Sequence, residues 1–291
     1  MEKIVPQVVR DPQELSDKLA ALRKAGKTIG LVPTMGALHE GHLSLVLKSK
    51  SACDVTVVSV FVNPTQFAPC EDYERYPRVL DEDLALLDMI DGVDFVFAPT
   101  HGDMYPKDFD TAVHIGGVTQ RLEGEFRPTH FDGVAVVVLK LFNITQPDMA
   151  FFGQKDFQQA CAIRKMVRDL NLRVEIEVCP IIREKGGLAL SSRNKYLTPR
   201  QRNDALVLHD ALEKAKFLVH SGMRDAAAIK EEMRHIIEKA PDAKIDYISI
   251  VEPETLHELT RVSGNVVALV AVKFGATRLI DNIVIEPKPR T

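Results

Sequence analysis

The sequence predicts an α/β chain: a Rossmann-like domain built on a parallel sheet, followed by a smaller C-terminal α+β domain. Three observations carry this. Short β-branched runs alternate with longer helical patterns through the first two thirds of the 291 residues. One of those runs, VTVVSVFV at 55–62, is apolar without a break, as expected of a strand buried on both faces. Near Pro180 the order changes from strand–helix alternation to helices followed by strands. Repeated strand–helix–strand order implies parallel strands joined by right-handed crossovers.

The elements follow in chain order. Leu15, Leu19 and Leu22 share one helical face across 13–25, and Gly26 closes that helix. Residues 28–32 read as a short apolar strand and 43–52 as a helix. After the strand at 55–62 come an amphipathic helix at 80–90 and a strand at 95–98. The stretch 134–144 is ambiguous, because its β-branched content favours a strand and its length a buried helix. A strand at 148–152, a helix at 156–170 and a strand at 174–178 complete the first part. Beyond it, Pro199 starts a long helix reaching 219, and a second helix covers about 225–239. Strands follow at 245–251, 266–272 and 279–285. The boundary is soft, within 179–185, and divides the chain into domains 1–181 and 182–291.

Composition excludes several classes of function. Hydrophobic residues make up 45% and charged residues 27%, ordinary for a globular protein. A formal net charge of -4 offers no bulk basicity for nucleic acid, so an anionic substrate must be met by a local basic site. The longest apolar stretch, 134–142, is interrupted by Lys140 and is too short to span a bilayer. The start, Met1-Glu2-Lys3-Ile4-Val5-Pro6, lacks a charged region followed by an apolar core, so no signal peptide is expected. Cys53, Cys70, Cys161 and Cys179 show no CxxC spacing and read as reduced thiols of a cytoplasmic protein.

The first strand–helix junction is the most informative place. Pro33, Thr34, Met35, Gly36, Ala37 and Leu38 lead into His39, Glu40, Gly41 and His42, which open a helix. Ligands of parallel sheets sit at the carboxyl ends of strands. Helix N-termini there present N–H groups and a positive dipole end that suit phosphate. Gly36 and Gly41 let backbone approach a ligand closely. His39 and His42, three apart, can face one side of the first turn and donate to charge growing on a leaving pyrophosphate. A lone HxxH is more often incidental, and this one lacks the HExxH zinc spacing. The preceding strand, turn and second glycine make it a stronger signal.

Other segments also fall at strand ends. FVNPTQF at 61–67 places Asn63 and Gln66 at the sheet's carboxyl edge, although an ordinary Asn-Pro turn explains it equally well. In Gly153-Gln154-Lys155-Asp156, Lys155 suits a phosphate and Asp156 an N-cap or a ribose, with Gln159 one turn on. Leu190-Ser191-Ser192-Arg193-Asn194 follows Gly186 and Gly187, and is either a phosphate clamp or a plain loop. Glu123 with Arg127-Pro128-Thr129-His130-Phe131 is the least specific group. His101, His114, His209, His220, His235 and His257 read as structural or surface residues.

PTMGALHEGH, FVNPTQF, GQKDFQQ and LSSRN, in this order and spacing, closely resemble the pantothenate synthetase (pantoate–β-alanine ligase) family. The resemblance runs from about residue 28 into the C-terminal domain. That family belongs to the HIGH-type nucleotidyltransferases, with HEGH standing for HIGH and SSRN for the second signature loop. The resemblance implies two half-reactions. Pantoate attacks the α-phosphorus of ATP, giving pantoyl adenylate and pyrophosphate. β-Alanine then displaces AMP to give pantothenate.

Carried over by position, Met35, Gly36, Ala37, Leu38, His39, Glu40, Gly41 and His42 line the ATP site. So do Gly153, Gln154, Lys155, Asp156, Ile182, Leu190, Ser191, Ser192 and Arg193. His42 is the implied acid/base residue, and His39, Lys155 and Arg193 complete the catalytic set. Gln66 and Gln159 bind pantoate, and Gln66 also β-alanine; Asn63, Glu123 and Arg127 are further carry-overs. The resemblance also implies Mg²⁺ brought with ATP, no dedicated metal site, a homodimer, and a lid role for domain 182–291. Three positions depart from the family pattern: Gln154 for Glu, Leu190 for Met and Thr129 for Gly. Two alternatives stand beside this reading. A nucleotidyltransferase for a different acid would lack use for FVNPTQF and Gln159, and a non-catalytic nucleotide sensor would need fewer converging cations.

Overall fold

The structure, a computed structural model, describes residues 6–69, 71–90 and 92–287. Met1 to Val5, on which the expectation of no signal peptide rests, and the thiol of Cys70 lie outside the described residues. The chain divides into two compact units. Unit 1 runs to Gly153 and resumes over Gln158–Pro180, and unit 2 comprises Gln154–Phe157 and the chain from Ile181 onward.

Unit 1 begins with β1 (Gln7–Val9) and α1 (Pro12–Lys24). Asp11 caps α1 by accepting from the Glu14 N–H, and Leu15 and Leu19 bury its inner face completely. There follow β2 (Ile29–Thr34), α2 (Glu40–Ala52), β3 (Val55–Val60), α3 (Leu80–Asp88), β4 (Phe95–Phe97), and two short turns of helix, α4 (His101–Met104) and α5 (Glu123–Phe126). Then come α6 (His130–Thr145), β5 (Met149–Gly153), α7 (Phe157–Asp169) and β6 (Glu175–Cys179). The six strands pair in parallel in the order β1-β4-β3-β2-β5-β6. From β2 the chain winds outward through β3 to β4, then returns to lay β5 on the other flank of β2. That reversal puts a topological switch point between β2 and β5, where α/β sheets bind ligands.

The ambiguous stretch is helix. In α6, Val134, Val136, Val137 and Val138 are all buried, so its β-branched residues serve a helix enclosed nearly all round. The edge strand β1 was not expected from sequence, since three residues are too few to show a period.

Unit 2 holds α8 (Pro199–Asp204), α9 (Val207–His220), α10 (Ala226–Ile237) and an antiparallel sheet of β7 (Ala243–Val251), β8 (Val266–Phe274) and β9 (Thr277–Ile285). The single long helix expected at 199–219 is two. Around the break, the Leu206 and Leu208 N–H groups reach back only three residues, to the carbonyls of Asn203 and Ala205. Leu206 keeps right-handed dihedrals, so no breaker residue marks the place. Leu212, Met233, Val270 and Phe274 lie in the core between these helices and the sheet.

Candidate active site

At the end of β2, the Thr34 hydroxyl donates to the Ser59 carbonyl at 2.6 Å and accepts from the Gly36 N–H at 3.1 Å. The chain then passes through two successive left-handed residues, Gly36 (φ 77) and Ala37 (φ 50). A carboxylate holds that turn. Asp83 of α3 accepts from the Ala37 N–H at 3.0 Å and from the Leu38 N–H at 2.7 Å, and is only 1% exposed. A Cβ on Gly36 would lie 2.8 Å from the same carboxylate, so glycine is needed for space as well as for conformation.

His39 is the N-cap of α2, an unusual choice. Its Nδ1 accepts from the Gly41 N–H at 3.2 Å, and the His42 Nδ1 accepts from the His39 N–H at 3.3 Å. A backbone N–H can only donate, so each Nδ1 must be the unprotonated nitrogen, and each neutral ring carries its proton on Nε2. The rings stand 4.1 Å apart between centroids. Sequence reasoning offered backbone N–H groups of the turn and helix start to phosphate. Those of Ala37, Leu38, Gly41 and His42 are engaged within the chain, the last by the His39 carbonyl at 2.8 Å. The donors that the arrangement orients are a pair of imidazole Nε2–H groups.

The next strand end carries the amides. β3 pairs with β2 up to Thr34 and Val60, so the turn after β3 runs beside the turn after β2. Asn63 Nδ2 donates to Gln66 Oε1 at 3.0 Å and to the Gly133 carbonyl at 3.1 Å. Asn63 Oδ1 accepts from the Tyr105 hydroxyl at 2.8 Å. This fixes the Gln66 amide, whose Nε2 donates to the Met35 sulfur at 3.3 Å. Met35 and Gln66 therefore touch.

The Arg127 group is a clamp. Arg127 holds the Glu71 carboxylate through two nitrogens, at 2.5 and 2.7 Å, and its Nη2 reaches the Gln66 carbonyl at 3.3 Å. Burial raises the Glu71 pKa, but the hydrogen bonds and charge of Arg127 outweigh it and leave it below the usual carboxylate range. His130 Nδ1 lies 2.9 Å from the same Gln66 carbonyl, and burial, aided by the Arg127 charge, pushes its pKa down to about 4. His130 is thus held neutral and donates from Nδ1.

Gln159 stands half-buried near the start of α7. Its neighbour Gln158, which sequence reasoning passed over, is buried, donates to the Val118 and Arg121 carbonyls and accepts from the Glu123 N–H. Gln158 thereby fixes the loop that carries Glu123.

In unit 2, Gln154, Lys155 and Asp156 form a 3₁₀ turn, with Asp156 exposed. Asn282 of β9 holds that turn. Its Nδ2 donates to the Gln154 and Lys155 carbonyls at 2.9 and 3.0 Å, and its Oδ1 accepts from Gln154 Nε2 at 3.1 Å. Next to it, Asp281 is paired with Arg183 through two bonds of 2.6 and 3.0 Å. Residues 182–190 fold back as a tight hairpin, in which the Ile182 carbonyl accepts from the Leu190 N–H at 2.9 Å. Ser191 caps the following 3₁₀ turn through the Arg193 N–H, and Ser192 is buried. Asn194 Nδ2 bonds Glu184 and the Ala189 carbonyl, which ties the Ser191–Arg193 stretch to the hairpin.

Asp83, Asn282 and Gln158 were missed by sequence reasoning. A signal existed for Asp83 alone: with Leu87, one turn on, it occupies the buried face of α3, where a carboxylate needs partners. Of the cysteines, Cys53 is driven up to about 11 by burial and by nearby carboxylates, and Cys179 is raised by burial, so neither is a thiolate nucleophile. Among the described residues, no group of three or more His, Cys, Asp or Glu could hold a metal ion, and no helix is long and apolar enough to cross a membrane.

The family model described as pantoate-beta-alanine ligase matches residues 7–284. A pantothenate synthetase of Caldicellulosiruptor saccharolyticus is 54% identical over 279 residues, covering 96% of this chain and 99% of that one. The crystal structure of pantothenate synthetase from Thermus thermophilus superimposes with a TM-score of 0.92 at 44% identity, over 97% of this chain and all of that one. The Francisella tularensis pantoate-beta-alanine ligase, solved as a complex with a β,γ-ATP compound and β-alanine, gives a TM-score of 0.79 at 35% identity, covering 96% and 97% of the two chains. The chain belongs to the pantoate–β-alanine ligase family.

Proposed function

We propose that the paired imidazoles of His39 and His42 are the electrophilic centre of a pantoate-activating site. The enzyme is an ATP-dependent ligase that condenses pantoate with β-alanine to pantothenate, the reaction of its family. In our reading, it proceeds through pantoyl adenylate and releases pyrophosphate and then AMP. Such chemistry needs positioning and charge neutralisation more than a protein nucleophile. The observation that carries the proposal is the tautomer lock: backbone N–H groups occupy both Nδ1 atoms, so each ring keeps a donor on Nε2.

We assign His42 to the leaving pyrophosphate as acid/base residue and His39 to the phosphates, together with Lys155 and Arg193. Gln66 is assigned to pantoate and β-alanine, and Gln159 to pantoate; we assign the Gln66 Nε2, which donates to the Met35 sulfur in this structure, as the donor a substrate would take over. Residues 35–42, 153–156, Ile182 and 190–193 are assigned to ATP, and domain 182–291 to a lid role. Mg²⁺ would enter with ATP, held mainly by phosphate oxygens and water. We further assign the enzyme to the cytoplasm as a homodimer, for which light scattering is the direct test.

The deciding experiment is His42→Ala, read by pantoate-dependent ATP–pyrophosphate exchange, by ATP binding and by AMP formation. The exchange rate should fall far more than ATP affinity, because a donor on the leaving group matters most in the transition state. Equal losses in both leave His42 only a binding role. Exchange with a different acid, and none with pantoate, would make the substrate assignment wrong.

A further inference from the structure

We propose that Asp83 is a positioning residue for the adenylation step, acting through the backbone of Ala37 and Leu38 on the two histidines that follow. The inference rests on the histidine reading above and extends it to a residue on another helix.

Three features support it. First, the turn is intrinsically costly. Gly36 adopts a left-handed conformation easily, but Ala37 does so at a cost of about 1–2 kcal/mol, and needs something to hold it. Second, the holding group is a whole carboxylate. Each oxygen of Asp83 accepts from one of two successive N–H groups, the concave arrangement that elsewhere receives a bound anion. The chain thus fills its own anion nest with a side chain from α3. Third, the held residue Leu38 is bonded directly to His39. The position of the His39 backbone decides whether its N–H meets the His42 Nδ1 and whether its ring meets the Gly41 N–H. Loosening the turn therefore releases both tautomers.

The location argues against a packing role alone. Asp83 shares the buried face of α3 with Leu87, and an apolar residue there would fill the space without desolvating a charge. What an apolar residue cannot do is accept from two backbone N–H groups.

The test is Asp83→Asn, which keeps the shape and one acceptor oxygen, and replaces the other oxygen with an NH₂ facing a backbone N–H. It is assayed below its melting onset. Exchange kcat should fall about 10-fold or more, with the pantoate KM changed by no more than about 2-fold. The ¹⁵N shifts of the His39 and His42 rings, assigned with single-histidine variants, should move from the pure Nε2–H pattern towards a tautomer mixture. Unchanged kcat, or lowered kcat with unaltered ring tautomers, overturns the proposal. If Asp83→Asn does not fold, Asp83→Glu gives the same two readouts, because it keeps a carboxylate but shifts its oxygens away from the Ala37 and Leu38 N–H groups. His42→Ala run in parallel separates the two readings. Loss there with none in Asp83→Asn defeats only this inference, and no loss in either defeats the histidine assignment too.

Discussion

Gly133→Ala offers the sharpest test of how the fold places Gln66. Gly133 lies in the second turn of α6, and a Cβ there would sit 2.3 Å from the Thr65 carbonyl oxygen, 2.4 Å from its carbon and 2.6 Å from the Gln66 nitrogen. An ordinary C···O approach is about 3.3 Å, so the overlap is about 1 Å. All three atoms are backbone, so no rotamer change relieves it, and either α6 or the turn at 64–66 must move. Alanine would gain about 1 kcal/mol of helix propensity over glycine. Overpacking against backbone costs about 1–3 kcal/mol, at the upper end here because nothing can rotate away. Moving the pair apart also stretches the bond from Asn63 Nδ2 to the Gly133 carbonyl, worth about 1 kcal/mol. The balance is a destabilisation of about 2–3 kcal/mol, or about 5–10 °C in the melting of unit 1. Displacing Gln66 by even part of that 1 Å should raise the pantoate KM or depress kcat by about 10-fold or more. Thermal melting and the pantoate dependence of AMP formation measure both. A variant that melts within about 1 °C of the parent and keeps its pantoate kinetics would refute the argument.

Two further predictions concern pH and unit 2. The folded pKa of His130, about 4, lies below its ordinary 6.5, so the unfolded chain binds the extra proton between those values. Its contribution, about 3 kcal/mol, is fully present above pH 6.5, is lost as pH falls towards 4, and is constant below that. His130→Asn, which keeps a donor near Nδ1 but cannot titrate, should flatten the melting profile in that window, and an unchanged slope would place the titration elsewhere. Asn282→Ala should destabilise unit 2 by about 1–3 kcal/mol by leaving two carbonyls and an amide without their partner, and should raise the ATP KM through Lys155. Unchanged melting and ATP kinetics would show that the turn at 154–156 stands by itself.

What the sequence revealed and what it hid have the same origin. The histidines, the amides of FVNPTQF and the polar run at 190–194 are visible because each lies within a few residues of a strand end or a glycine turn, where local rules apply. The groups that hold them come from far along the chain. Asp83 reaches back 45 and 46 residues to Leu38 and Ala37, Gln158 reaches 35 to Glu123, and Asn282 reaches 128 to Gln154. No period or spacing in one sequence encodes such pairings. The break at 205–206 is hidden for a different reason: Ala205 and Leu206 are good helix formers, and nothing in their type marks the shift to three-residue hydrogen bonds there. The long reach of Asp83 also explains the turn's occupied donors, since open N–H groups at Ala37 and Leu38 are a fair inference until a carboxylate 46 and 45 residues downstream is seen to occupy them.

The segment Gln154–Phe157 is encoded inside unit 1 but folds with unit 2, so the chain passes between the units at three points, after Gly153, Phe157 and Pro180. A gene fragment starting at residue 181 would therefore supply the three-stranded sheet and its helices while omitting the peptide that Asn282 grips. The second unit is therefore not one continuous stretch of sequence, and a single splice after Pro180 leaves residues 154–157 with the first parent. Such a chimera keeps the lock on the turn that bears Lys155 only where the second parent supplies an amide at the position of Asn282.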